Sequence, residues 1–267
     1  MKLAANIGFL YQELAPLDRI GAAAADGFDG VECPFPHDLD AALLGARLRD
    51  TGLPMVLINT PLGPSGEPGF AAVPGEQAHF RTGIERSLDF AQRLQCPCLH
   101  VMAGRPGAGL AGSGESMAVL EDNLRWALPK ARQAGVVLLL EALNHHDTPG
   151  YAYHQPGQIV AVLERLREPG VRLQFDCFHT AREGLDVSAT LRSCQDWVHH
   201  VQVARAPKRT APDFEDPDMS QAMNTLQEIN YRGWLGLEYR PQGPTTDSLG
   251  WREPLRALLA RSTEGAA

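Results

Sequence analysis

Eight times along the chain, a short run of apolar, β-favouring residues gives way to a longer stretch whose apolar positions recur at i, i+3 and i+4. Few folds accommodate that rhythm. The strand-like runs cover 3–9, 30–34, 55–59, 98–103, 136–142, 171–176, 199–204 and 235–239. The helical patterns cover 15–25, 38–50, 76–94, 117–134, 155–167, 186–197, 218–230 and 246–260. Glycines at 27, 52, 135 and 233 stand where left-handed residues would end helices. A helix between consecutive strands makes those strands parallel, and eight such units close naturally into a cylinder. The predicted architecture is therefore α/β, a (β/α)8 TIM barrel occupying residues 1–267 as a single domain. Three long loops, 60–75, 143–154 and 205–217, follow the third, fifth and seventh strands. They belong to the face on which such barrels build their sites.

Composition narrows the function classes. The chain has 267 residues, 44% of them hydrophobic, so a large core can be buried. Its formal charge of -8 argues against nucleic-acid and membrane partners, both of which present negative phosphate. Polar residues come too early at the N-terminus for a signal-peptide core, and the longest apolar run, 136–140, is far below the roughly 20 residues that span a bilayer. A cytoplasmic location is expected. The five cysteines, including the close pair Cys96 and Cys98, lack the spacing of a zinc site and are expected to be reduced, buried thiols. Exposed outer helices could support a homo-oligomer.

The chemistry-bearing residues lie at the strand ends. The fifth strand closes on Glu141 and the sixth on Asp176; the seventh carries Gln202 and the eighth Glu238. A lone strand-end carboxylate can simply cap the next helix, but four oxygen-bearing side chains on consecutive strands, at one end, can converge around one rim. Two glutamates, an aspartate and a glutamine make an oxygen-rich set that suits Mg²⁺ or Mn²⁺ better than zinc. His200 shares parity with Gln202 and should also point inward, either to orient a ligand from behind or to touch substrate.

At these residues the chain resembles the hydroxypyruvate isomerase and 2-oxo-tetronate isomerase group of the xylose-isomerase-like barrels, a superfamily that also holds sugar epimerases of the tagatose 3-epimerase type. The resemblance runs from Asn6, Gly30-Val31-Glu32 and Phe35-Pro36 through Asn59, Pro61, Pro74-Gly75-Glu76 and Met102-Ala103-Gly104. It continues through Glu141-Ala142-Leu143-Asn144-His145, Asp176-Cys177-Phe178-His179, His200-Val201-Gln202 and Glu238-Tyr239-Arg240-Pro241. It implies that Glu141, Asp176, Gln202 and Glu238 hold a divalent metal, and that Glu141 and Glu238 face each other across the substrate as acid and base. It also implies that His145 and His179 contact substrate oxygens, with Asn59 and Arg209 completing the substrate site. The implied reaction is a proton transfer between adjacent carbons of a small hydroxy-carbonyl sugar acid, through an enediolate.

Two loops depart from the group's pattern. Proline stands at 68, where the group carries arginine. The run after the seventh strand keeps Arg209 but gains Arg205, and its acidic residues shift to Glu215, Asp216 and Asp218. Both loops would meet the distal end of a substrate. The same barrel could instead serve a ketose 3-epimerase or a non-catalytic sugar-acid-binding protein; a metal-dependent endonuclease would call for a histidine-rich zinc cluster and a basic groove.

Overall fold

In the computed structural model, which describes residues 1–264, eight parallel strands close on themselves in chain order. They are β1 (Lys2–Asn6), β2 (Gly30–Cys33), β3 (Met55–Asn59), β4 (Cys98–His100), β5 (Val137–Glu141), β6 (Val171–Asp176), β7 (Val198–Val203) and β8 (Trp234–Leu237). β8 pairs back onto β1, so no strand is left as an edge. Between and after them lie α1 (Asp18–Ala25), α2 (Ala41–Thr51), α3 (Gln77–Leu94), α4 (Gly114–Ala134), α5 (Pro156–Leu166), α6 (Cys177–Arg182), α7 (Val187–Cys194), α8 (Pro217–Glu228) and α9 (Arg252–Glu264), with a 3₁₀ turn at Thr245–Trp251.

Local chemistry explains most boundaries. Asp40 caps α2 by accepting from Ala42 and Leu43 N–H, and Asp216 caps α8 just before Pro217. Gly27, Gly52 and Gly135 adopt the expected positive φ. Gly233 does not: α8 stops at Glu228, and the left-handed position falls on Asn230, with φ 54°. The structure also inserts α6 directly after β6. Six residues are too few to show helical periodicity, but Asp176 supplies its cap by accepting from Phe178 N–H at 2.7 Å.

Alternation along each strand divides the interior. One set, including Ala5, Val31, Ile58, Leu99, Leu138, Leu140, Phe175 and Val201, packs into the main core shared with the helices. The alternate set points into the barrel. There Ala4, Val56, Leu57, Cys98 and Leu139 form a small separate apolar cluster. Two residues further along their strands, the same faces become polar at Asn6, His100 and Glu141, all buried. The barrel thus has an apolar floor and a polar mouth. All five cysteines are buried free thiols. No described helix is long and apolar enough to cross a membrane.

Candidate active site at the carboxyl ends of the strands

The polar mouth is organised by one buried carboxylate. Glu32 on β2 accepts from Asn6 Nδ2 at 3.0 Å and Gln202 Nε2 at 2.7 Å, and pairs with His200 Nε2 at 2.7 Å. A carboxylate only accepts, so Glu32 compels Gln202 to present its amide nitrogen and turns the carbonyl oxygen the other way. That oxygen accepts from Gln174 Nε2 at 2.7 Å, and Gln174 Nε2 also donates to Glu141 Oε2 at 2.8 Å. His200 and Gln202 thus meet on the same Glu32 carboxylate. The network explains Gly236: a Cβ there would collide with the Glu32 carboxylate.

Beyond this network three carboxylates converge. Asp176 uses Oδ1 to cap α6, while Oδ2 lies 3.1 Å from Arg209 Nη2. The same nitrogen lies 2.9 Å from Glu238 Oε1. Arg209 is sandwiched over Phe9 and Phe178, 4.7 and 4.8 Å from their ring centres. Glu141, Asp176 and His179 can bring ligand atoms within 4.8 Å of one another. His179 Nδ1 receives the backbone N–H of Asn144 at 3.0 Å and its side-chain Nδ2 at 2.7 Å, so its proton is assigned to Nε2. That N–H sits 3.6 Å from Asp176 Oδ2 and 3.8 Å from Glu141 Oε1. A protonated nitrogen can neither coordinate a cation nor accept from Arg209 Nη1 at 3.4 Å, which makes the latter a packing contact. His179 is thus built to donate.

Three carboxylates, two buried and one largely so, with one guanidinium between them are short of positive charge. Burial pushes Glu238 up to about 8, with Arg209 opposing and Asp176 and Glu32 reinforcing. Burial also raises Asp176 to about 6, against Arg209 and the α6 N–H groups. Glu141 is driven well above the usual range by burial, then by Glu238 and Asp176. Desolvation holds His179 neutral.

These groups open into a cavity of about 380 Å³. Glu141, Glu238, His179, Arg209 and Asn59 all line it, with Ile7, Phe9, Phe35 and Leu143 on the apolar side. The 60–75 loop is pinned by the Gly69–Ala103 bridge, and none of its residues is among those lining this cavity. Gly69 and Gly104 each have φ 89°, and a Cβ at Gly69 would strike the Met102 carbonyl. His145 is not brought in. Its side chain is 53% exposed, pairs with Glu183 at 2.8 Å and lies tilted against His146, while Asp147 and Thr148 of the same loop reach the cavity. Arg205 is likewise engaged within its own loop, 3.4 Å from Asp213 and 3.6 Å from Asp216. Strand-end reasoning passed over His100, Gln174 and the central place of Glu32; all three lie on inward-facing strand positions, a signal that alternation carries.

The profile of the xylose isomerase-like TIM barrel family matches residues 20–261. Relatives match over nearly their whole length. A 2-oxo-tetronate isomerase of Cupriavidus necator is 37% identical over 255 residues, covering 95% of this chain and 98% of the relative. A hydroxypyruvate isomerase of Escherichia coli K12 is 31% identical over 258 residues, covering 96% and 100%. The chain belongs to this family. Within the xylose isomerase-like barrels it sits with the hydroxypyruvate and 2-oxo-tetronate isomerases, as the strand-end residues imply. Among solved structures, one from Brucella melitensis, described as an AP endonuclease of family 2, superposes with a TM-score of 0.89 at 33% identity, covering 95% of this chain and 98% of that one.

Proposed function

We propose that this protein is an isomerase of small hydroxy-2-oxo acids, of the hydroxypyruvate or 2-oxo-tetronate type, and that it moves a proton between adjacent substrate carbons with Glu141 and Glu238. The observation that carries the reading is the pair itself: two largely buried carboxylates on one cavity wall, both pushed well above the usual carboxylate range by desolvation. A carboxyl tuned in this way can hold a proton at neutral pH and still give it up. The names of the relatives supply the substrate class.

The donor set fits a hard divalent cation, Mg²⁺ or Mn²⁺. Glu141, Asp176 and Glu238 offer carboxylate oxygens with too little counter-charge, and Gln202 Oε1 keeps a second lone pair beside its bond from Gln174. When bound there, the cation would supply Lewis acidity toward the substrate's carbonyl and neighbouring hydroxyl oxygens. The rest belongs to the chain. One glutamate takes the proton from carbon, and the electron pair passes into the enediolate. A proton is delivered to the adjacent carbon by the same carboxyl or its opposite, and the hydroxyl proton moves between the neighbouring oxygens. The overall formula is unchanged, so no redox partner is consumed. His179 Nε2–H donates to a substrate oxygen, and the apolar wall limits water near the reacting carbons.

An endonuclease would need a basic groove. Among the described residues, the only lysine or arginine side chains on the cavity wall are Arg19 and Arg209, and both are committed: Arg19 to the Ile7 and Leu14 carbonyls, Arg209 to Asp176 and Glu238.

The direct test follows hydroxypyruvate and its aldehyde isomer by NMR in deuterated buffer with Mg²⁺ or Mn²⁺. Interconversion with deuterium entering at carbon is expected; no turnover of either hydroxypyruvate or a 2-oxo-tetronate would reject the proposal. A second expectation concerns Glu32. Glu32→Gln lets the Gln202 amide turn over, so cation affinity should fall about 10–100-fold with the barrel still folded. Calorimetric titration with Mn²⁺ reads this, and an unchanged Kd would show that Glu32 does not set the orientation.

A further inference from the structure

His100 closes β4 with its side chain 1% exposed, and it lines the cavity between Asn59 and Glu141. Neither of its ring nitrogens has a hydrogen-bond partner in the protein. Nδ1 lies 3.3 Å from Glu141 Oε2, in a geometry that makes no hydrogen bond. The neighbouring acidic and imidazole groups on this wall are engaged: Glu141 with Gln174, Glu238 with Arg209, His179 with Asn144. Among the described cavity-lining residues, His100 alone offers buried side-chain nitrogens with no partner. Buried polar groups left unmatched are rare and call for an explanation.

We propose that His100 is a substrate-binding residue that accepts a hydrogen bond from a substrate hydroxyl held beside Glu141. The inference rests on the isomerase reading for the identity of that hydroxyl, but its physical basis is the unmatched ring. A fully buried imidazole with no hydrogen-bonded partner takes its neutral form, with one donor and one acceptor. Glu141 Oε2 already accepts from Gln174, so the nitrogen facing it is assigned the proton. The opposite nitrogen is then an acceptor and needs a donor. A ketone or an ionised carboxylate has no hydrogen to give; a hydroxyl does. The β4 side of the cavity thus selects compounds with a free hydroxyl next to the carbonyl, the arrangement the proton transfer also requires.

The test compares hydroxypyruvate with pyruvate, which lacks that hydroxyl. Binding is measured by calorimetry, with Mg²⁺ present, on the turnover-blocked Glu238→Gln protein and on Glu238→Gln/His100→Phe. Hydroxypyruvate should bind the first about tenfold or more tightly than pyruvate, because a site built to pair a hydroxyl rejects the analogue without it. In the second, the two ligands should differ by less than about twofold, through loss of hydroxypyruvate affinity alone. An unchanged ratio overturns the proposal. His100→Asn, which keeps a donor near the Nδ1 position and lacks the far acceptor, should lose the discrimination in the same way. The ligand-free protein provides a readout independent of substrate. His100→Phe replaces unmatched nitrogens with carbon, so its Tm should equal or exceed that of the parent. A marked fall would show the ring satisfied without substrate and would also overturn the proposal. If hydroxypyruvate fails to bind the Glu238→Gln protein at all, the isomerase reading fails, and the melting result decides His100 by itself.

Discussion

Exchanging Glu238 or Glu141 for glutamine should reduce isomerisation by about 10³-fold or more in kcat while leaving the barrel folded. An amide matches the carboxyl in shape and keeps hydrogen-bonding capacity, but it cannot take a proton from carbon or return one. The fold should tolerate the change because the folded protein already resists ionisation at both positions. Burial raises Glu238 to about 8 and drives Glu141 well above the usual carboxylate range. A neutral side chain removes that strain, so Tm should not fall and should rise at alkaline pH. Arg209 would lose one of its two charged partners in Glu238→Gln but keep Asp176 at 3.1 Å. Deuterium uptake at the substrate carbon should disappear in the variant that lacks the abstracting group. Near-normal turnover in either variant would end the two-glutamate mechanism.

The legibility of this site in the sequence has a physical boundary. Glu141 and Asp176 could be found because an oxygen-bearing side chain closing an apolar strand needs a partner, and barrel closure puts neighbouring strand ends side by side. Glu238 follows the same logic one residue beyond β8, and Gln202 follows from inward parity on β7. His100 escaped because the apolar run through residue 103 places it inside a strand, whereas β4 ends at His100 itself. Gln174 was hidden by its own apolar neighbours, although it sits directly across from Glu141 in register. Loop residues obey no such period. His145 was placed by resemblance, and what decides its position is Glu183, at the end of a helix too short to announce itself. The burial of Arg209 is equally non-local: it depends on Phe9 and Phe178, contributed by distant segments, and on a left-handed backbone at φ 54°.

Arg209→Met should destabilise the cation-free protein by about 3–5 kcal/mol at pH 8, the loss expected when one partner of a buried ion pair is removed. Its side chain is only 14% exposed, and its guanidinium touches both Asp176 and Glu238. Without it the carboxylates face one another uncompensated. The loss should shrink at pH 5, where they can protonate instead. The sign follows from linkage. Asp176 at about 6 and Glu238 at about 8 lie above their unfolded values, so the folded state holds more protons in the intervening window. Stability conferred by those protons is complete on the acid side and is lost as pH rises through the folded values. A divalent cation should reverse the trend by supplying the missing charge. At 100 times its Kd it returns about 2.7 kcal/mol to a protein that binds it only when folded, and it displaces protons as it binds. Chelation should likewise abolish activity of the parent enzyme, with Mg²⁺ or Mn²⁺ restoring it. Melting curves of the parent and Arg209→Met proteins, with chelator and with either metal at pH 5 and pH 8, test the scheme together. A variant as stable as the parent in chelator at pH 8 would remove Arg209 as the counter-charge, and full activity in a metal-free preparation would remove the cation from the reaction.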